Sequence, residues 1–324
     1  MGITRRTMVG GLIATPLAGA LAGPFALKAA PPPNGGYVFA YFKHRDKQNP
    51  GLRLAISRDG MRYTALGGDR PVAAPLVGNG RLFRDPFIRW DAARRRYHMV
   101  WTTGWQDKTI GYASSPDLVT WSAPRALPVM AAFPTARNTW APEFEYDAAR
   151  CRFVIFWAST VPGPGAAEKG ESEDGYSHRI YATTTRDFVG FTPTQLMFDP
   201  GYSVIDTTFV RAGGKLRMVF KDERLVPERK VLQWCDAASI TGPFGPPSPA
   251  FSPAWVEGPM IIDNGADTLV FYDEYRENRF GVLSTTDWRE WRNRSGDITL
   301  PTGASHGSVL RVDELRLRAL ERLV

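Results

Sequence analysis

Four carboxylates recur along this chain, each at the head of a short apolar run. They are Asp85 in Arg84-Asp85-Pro86-Phe87-Ile88, Glu143 in Trp140-Ala141-Pro142-Glu143-Phe144, Asp206 in Val204-Ile205-Asp206-Thr207-Thr208-Phe209 and Glu257 in Val256-Glu257-Gly258-Pro259-Met260. Carboxyl groups brought close together repel one another when ionised, so a cluster costs the fold stability and drives the pKa values apart. General acid–base chemistry uses that separation: one group stays ionised and takes a proton, while another keeps its proton and gives it up. A single Asp at a turn is ordinary. Four acids, each beside Pro, Gly or an aromatic residue, suggest instead one position repeated in successive copies of a structural unit.

The elements that must carry them also repeat. Trp90 to Trp101 (WDAARRRYHMVW) and Tyr146 to Trp157 (YDAARCRFVIFW) match at an offset of 56 residues. Each reads as strand, Asp-led turn, strand, which predicts a hairpin. A second signature, Ser/Thr-x-Asp-x-x-x-aromatic, begins at Ser57, Ser115, Thr185 and Thr285, with gaps of 58, 70 and 100 residues. The long gap holds a unit with a different turn, Ser239-Ile240-Thr241-Gly242-Pro243-Phe244. Five units result, at about 36–70, 83–125, 139–196, 203–248 and 255–293. A period near 50 residues with several short strands per unit predicts an all-β, five-bladed β-propeller as a single domain. In a closed ring, equivalent positions face a common axis. The late run His306 to Val312 is expected to close the ring against the first unit, and Asp313 to Leu323 to form a short C-terminal helix.

The 324 residues are 43% hydrophobic with a formal charge of +7. Residues 1–30 read as an export signal: Arg5-Arg6 precedes an apolar stretch ending near Ala20-Leu21-Ala22, which resembles a twin-arginine leader. An uncleaved anchor is the alternative. Pro31-Pro32-Pro33 makes 31–35 a stiff spacer before the domain at 36–324. These features predict a periplasmic or extracellular monomer with no stable membrane association. Basic residues are scattered and no nucleic-acid motif is visible, so solvated surface is the reading, with a weak preference for acidic polysaccharide left open. Cys151 and Cys235 could pair after export or remain isolated buried thiols. Gly303-Ala304-Ser305-His306-Gly307 fits a nucleophile-elbow pattern, but that needs a strand-turn-helix context and a later histidine, and neither is present.

Cleavage of a glycosidic bond needs a protonated acid at the leaving oxygen and a carboxylate on the opposite side, and a third carboxylate can tune the acid. The ordered set Arg84-Asp85-Pro86, Trp140-Ala141-Pro142-Glu143, Ile205-Asp206, Glu257-Gly258-Pro259 and Ser305-His306-Gly307-Ser308-Val309 resembles glycoside hydrolase family 43 and its close relatives, over nearly the whole chain after residue 30. The resemblance implies a propeller glycosidase on oligo- or polysaccharide, inverting and exo-acting on arabinofuranosides, xylosides or related side chains. It implies Asp85 as general base, Asp206 as the group that tunes and holds the acid, and Glu257 as general acid. Two departures stand out: a complete unit precedes the base motif, and Glu143 replaces the Asp common in the Trp-Ala-Pro motif. Glu143 is read as pocket-lining. His306 matches an axial position near a bound cation or water in relatives. No cofactor is required, and calcium on the axis is a candidate occupant. His44, His98 and His178 are read as structural. Trp105, Trp140 and Trp255 are candidate sugar platforms, Lys221 and Glu223 candidate contacts to sugar hydroxyls, and loop 161–178 a candidate flap. An invertase-type enzyme and a non-catalytic sugar-binding propeller are the alternatives. The invertase nucleophile motif is absent, and the intact acids argue against the binding module.

Overall fold

The computed structural model describes residues 1–2, 35–163, 172–226, 229–265 and 267–324. Apart from Met1 and Gly2, the expected leader lies outside the described residues, as do the spacer up to residue 34 and part of loop 161–178. Among the described residues, no helix is long and apolar enough to cross a membrane.

The first sheet contains β1 (Gly35–Phe42), β2 (Arg53–Ser57) and β3 (Thr64–Ala65). The second contains β4 (Arg84–Asp91), β5 (Arg96–Thr102), β6 (Ile110–Ser115) and β7 (Arg125–Leu127). The third is β8 (Trp140–Asp147), β9 (Arg152–Ser159), β10 (Arg179–Thr185) and β11 (Gln195–Phe198). The fourth has three strands, β12 (Val204–Ala212), β13 (Lys215–Asp222) and β14 (Val231–Asp236). The fifth is β15 (Glu257–Asp263), β16 (Thr268–Glu274), β17 (Arg279–Thr285) and β18 (Arg292–Asn293). Then β19 (Ser305–Asp313) returns to pair antiparallel with β1, Gly35 facing Asp313 and Phe42 facing Ser305. The two ends of the domain therefore share one blade, and the five-bladed ring closes as the sequence predicts. The innermost strands β19, β4, β8, β12 and β15 neighbour one another in that order around the axis.

Side chains alternate across a strand, so a blade packed on both faces needs apolar residues at every position. In β1, Tyr37, Phe39 and Tyr41 enter the cluster shared with the fifth blade, while Val38, Ala40 and Phe42 enter the cluster shared with the second. Three further clusters fill the other blade interfaces. Trp101 and Trp157, at matching ends of the repeated hairpins, lie in these seams at 0% and 1% exposure. Truncating either to Ala would cost about 3–5 kcal/mol.

The second signature is a turn between the third and fourth strands of a blade. Asp117 Oδ1 accepts the amides of Val119 (2.9 Å) and Thr120 (2.6 Å), and Ser115 Oγ accepts that of Leu118 at 2.8 Å. Asp59, Asp187 and Asp287 repeat this pattern. These local bonds satisfy backbone donors that the ladder leaves free, which is why short polar side chains hold the positions. The fourth blade lacks the signature and, among the described residues, a fourth strand.

The C-terminal helix α1 (Glu314–Glu321) sits inside the expected span, capped by Asp313, whose carboxylate accepts the Arg316 amide at 2.8 Å. Leu317 and Leu320 pack it onto the seam between the first two blades. Both cysteines are free. Cys235 is buried but Cys151 is exposed on a hairpin turn, so neither a disulfide nor a pair of buried thiols describes them.

Candidate active site

Every innermost strand carries the same irregularity where it begins. On β4, Arg84 faces Thr102 and Phe87 faces Val100, so three steps on one strand match two on the other. The same slip occurs at 140–143, 205–208, 257–260 and 305–308. One residue per blade is thus left out of the ladder as a bulge and turned toward the axis. Asp85, Ala141, Asp206 and Gly258 hold this place with φ of 52°, 44°, 51° and 60°. Left-handed backbone is unfavourable for residues with a side chain and is kept where surrounding structure enforces it. Pro86, Pro142 and Pro259 follow three of them, tolerated because a bulge has no ladder donor to lose.

The register corrects one expectation. Asp85, Ala141, Asp206, Gly258 and His306 are equivalent, so only two of the four acids share a position. Glu257 stands one place earlier, level with Arg84 and Ser305, and Glu143 two places later, level with Phe87 and Ser308. Aligning apolar runs counts residues along the chain and misses the bulge, and a one-residue offset changes which way a side chain points.

The bulges open onto a cavity of about 970 Å³ at one end of the axis, lined among others by Asp85, Asp206, Glu257, Glu223, Asp273 and His306. Asp85 Oδ2 accepts from Thr102 Oγ1 at 2.7 Å, and His306 Nδ1 lies 3.5 Å from Oδ1. Burial alone would raise this carboxyl, but His306, Arg84 and Thr102 outweigh it and hold Asp85 below the usual range, ionised. Burial likewise disfavours a charged His306, yet Asp85, Asp206 and Glu143 lift it to about 9. Asp206 Oδ2 accepts the Gly258 amide at 3.0 Å. Burial, with the charges of Glu257 and Asp85, lifts Asp206 to about 6 against His306 and Lys221. Glu257 is held low: burial is overcome chiefly by Lys221, whose Nζ is 2.9 Å from Oε2, with Arg84 and His306 helping.

Behind Glu257 runs a buried chain of alternating charge. Lys221 Nζ is 2.9 Å from Glu257 and 2.7 Å from Glu223, and Lys230 pairs with the other oxygen of Glu223. Lys221 is 1% and Lys230 0% exposed. Buried charges persist only with such partners. Lys221 therefore does not reach sugar hydroxyls as expected; it backs Glu257. Glu223 lines the cavity, but both lysines claim its oxygens.

Two other expectations are also corrected. Glu143 does not line the cavity. It is 5% exposed beneath it, Oε2 has no hydrogen-bond partner, and burial pushes its carboxyl to about 8. Trp255 is outside the cavity lining, and the Arg276 guanidinium covers its ring. Trp105 and Trp140 do form a wall, edge to face at 5.7 Å, with Trp140 Nε1 donating to the Trp105 carbonyl at 3.0 Å. Tyr176 and His178 extend it, stacked at 5.0 Å. His98 is structural, 2.8 Å from the Tyr112 hydroxyl within the core. His44 and His178 instead belong to the cavity wall. From loop 161–178, Ser172, Glu173, Tyr176 and His178 reach the cavity.

Asp273 was not foreseen. Its Oδ2 accepts the His306 amide at 3.2 Å, and burial and Glu257 raise it to about 7. The available signal is positional: Thr102, Lys221 and Asp273 each end the apolar run of a second strand, and each supports an axial group. Among the described residues no group of three or more His, Cys, Asp or Glu side chains is placed to hold a metal ion; calcium, which takes oxygen ligands, would have to draw on carbonyls and water as well as on carboxylates.

Residues 32–316 match the family model of a probable glycosyl hydrolase domain related to glycoside hydrolase family 43. An α-L-arabinofuranosidase of Bifidobacterium longum is 27% identical over 160 residues, 44% of this chain and 15% of that protein, so the chain spans a small part of that relative. A thermostable family-43 glycoside hydrolase superimposes with a TM-score of 0.55 at 18% identity, covering 71% of this chain and 81% of that one. An α-L-arabinofuranosidase from Lactobacillus brevis gives 0.53 at 17%, covering 68% and 74%. At these identities the structural likeness is one of fold. The family match extends from just ahead of β1 into the closing helix and takes in every axial carboxylate. The chain therefore belongs to the glycosyl hydrolases related to family 43.

Proposed function

We propose that this glycosidase inverts configuration and removes terminal arabinofuranosyl or xylosyl units from oligosaccharide or polysaccharide side chains. The supporting observation is the opposed setting of carboxyls around one cavity: Asp85 is held ionised, while Asp206 is lifted to about 6 beside Glu257. Asp85 takes a proton from water as its oxygen attacks the anomeric carbon. Glu257 gives its proton to the leaving oxygen as the glycosidic bond breaks, and Asp206 keeps a proton available next to it. Both carboxyls return to their starting states by exchange with solvent. The Trp105–Trp140 wall offers ring faces to the sugar. The arabinofuranosidase name of the Bifidobacterium relative supports the choice of sugar.

One observation favours a second assignment within the same chemistry. Lys221 keeps Glu257 low while Asp206 sits higher, so Asp206 could itself be the donor. Leaving groups separate the two. The variant that lacks the true acid loses roughly 10²–10⁴-fold in kcat on natural linkages and far less on aryl glycosides whose phenol leaves unaided. Glu257→Gln should show this split and Asp206→Asn should not; the reverse result makes Asp206 the acid. Proton NMR of the first-formed sugar should show the inverted anomer, and a retained anomer would overturn the mechanism.

A further inference from the structure

The deep carboxylates have their own cations: Asp85 has His306, and Glu257 and Glu223 have Lys221 and Lys230. The mouth of the cavity carries further cations. His44, Arg45 and Lys47, from the loop between β1 and β2, line one sector together with Arg84. Among the described residues, no ion pair engages Arg45, Lys47 or Arg84. The loop is nevertheless fixed. Asp46, between the two free cations, turns onto the buried Arg53 at 2.6 Å, Arg53 also donates to the Asn49 carbonyl at 3.0 Å, and Lys43 pairs with Asp69. Its anionic and spare basic groups are thus spent on anchoring, which leaves Arg45 and Lys47 facing the opening.

Arg84 is fixed in the same way. Its guanidinium lies 4.4 Å from the Trp105 ring and 4.8 Å from Phe42, and Nη1 is 2.6 Å from His44 Nδ1. Burial and the surrounding cations lower the His44 pKa, so the ring is neutral and accepts this bond. A neutral imidazole directs the guanidinium without cancelling its charge. A planar guanidinium held in this way suits bidentate grip of a carboxylate, with two flexible cations nearby to complete the charge match. Arg45 and Lys47 repel each other beside Arg84, which is also drawn to Asp85 and Glu257, and an anion placed among the three would offset that repulsion.

We propose that this sector binds an anionic group on the sugar chain, a uronic-acid carboxylate, next to the unit being cleaved. The proposal deepens the glycosidase reading and rests on it for the chemistry at the axis. The probes are a uronic-acid-bearing oligosaccharide, its carboxyl-reduced counterpart and a version carrying sulfate in place of the carboxylate. Titration calorimetry should give the uronate about tenfold tighter binding than the reduced sugar, with the advantage shrinking as salt is raised. In Arg45→Ala/Lys47→Ala the uronate-to-neutral ratio should fall toward one, in Kd and in kcat/KM alike. A sulfate that binds better than the carboxylate would reassign the anion. A wild-type ratio near one, or a ratio that the double variant leaves unchanged, overturns the site. Hydrolysis of the neutral sugar without preference sinks this inference alone. A charge-dependent preference in binding with neither sugar cleaved sinks the proposed substrate range and leaves the anion site standing.

Discussion

Lys221 is the residue whose charge most shapes the chemistry. It sits 1% exposed, with Glu257 on one side and Glu223 on the other. Glu257 is held below its ordinary value, so this pairing stabilises the fold above the ordinary glutamate range, and the contribution is lost as pH falls through the lowered value. With Glu257 as the donor, as proposed, the same pairing works against proton donation, since it brings the alkaline limb of kcat/KM to lower pH. Lys221→Met should move that limb upward, while Lys221→Arg, which keeps the charge, should leave it near the wild-type position. Removing one partner of a buried pair costs about 3–5 kcal/mol, so the arginine variant guards against reading a folding defect as a catalytic one. A limb that stays put in a folded Lys221→Met protein would show that Lys221 only packs.

At the level of elements, two strands decide whether the ring exists. β1 and β19 come from opposite ends of the domain, and Gly307 lets them touch: a Cβ there would lie 1.9 Å from the Ala40 carbonyl oxygen. Gly307→Ala should force the pair apart, cost about 1–3 kcal/mol and lower Tm by roughly 2–10 °C. Calorimetry reads this directly, and an unchanged Tm would mean the backbones have room to spare. The hairpin repeats, the Asp-led turns, the closing strand and the helix were all legible in the sequence, because each is fixed by chemistry a few residues long or by plain alternation. The bulges were not. They exist only as a mismatch between two strands, and nothing in Ile205-Asp206-Thr207 or Glu257-Gly258-Pro259 alone says which residue leaves the ladder. The burial of Glu143 and Lys221 escaped notice for a related reason: a Glu or Lys near a strand end looks accessible until the neighbouring blade is in place.

Across the whole molecule, the axis should make the fold sensitive to alkali. Glu143 is lifted to about 8, so the native state holds a proton that the unfolded chain has released, and stability falls as pH climbs from the ordinary glutamate range to about 8. His306 is lifted to about 9; its pairing is complete below the ordinary imidazole value and fades as pH passes 9. Both contributions weaken in the same direction. Glu143→Gln, which keeps the shape without the acid, should melt roughly 2 °C or more above the wild type at about pH 8 and close to it near pH 5. A wild-type Tm that is flat across this range would show that Glu143 is ionised in place. The repeated bulge has a wider consequence. Five blades each place a bulge at one register position beside a single well, four of them with left-handed backbone, and two of these, at Ala141 and Gly258, contribute no functional group. The scaffold is therefore a keyboard with more keys than the present reaction plays. Gly258 is closed, since a Cβ there would lie 2.5 Å from the His306 ring, but at Ala141 an acid or a base could be added while every seam between blades stayed as it is.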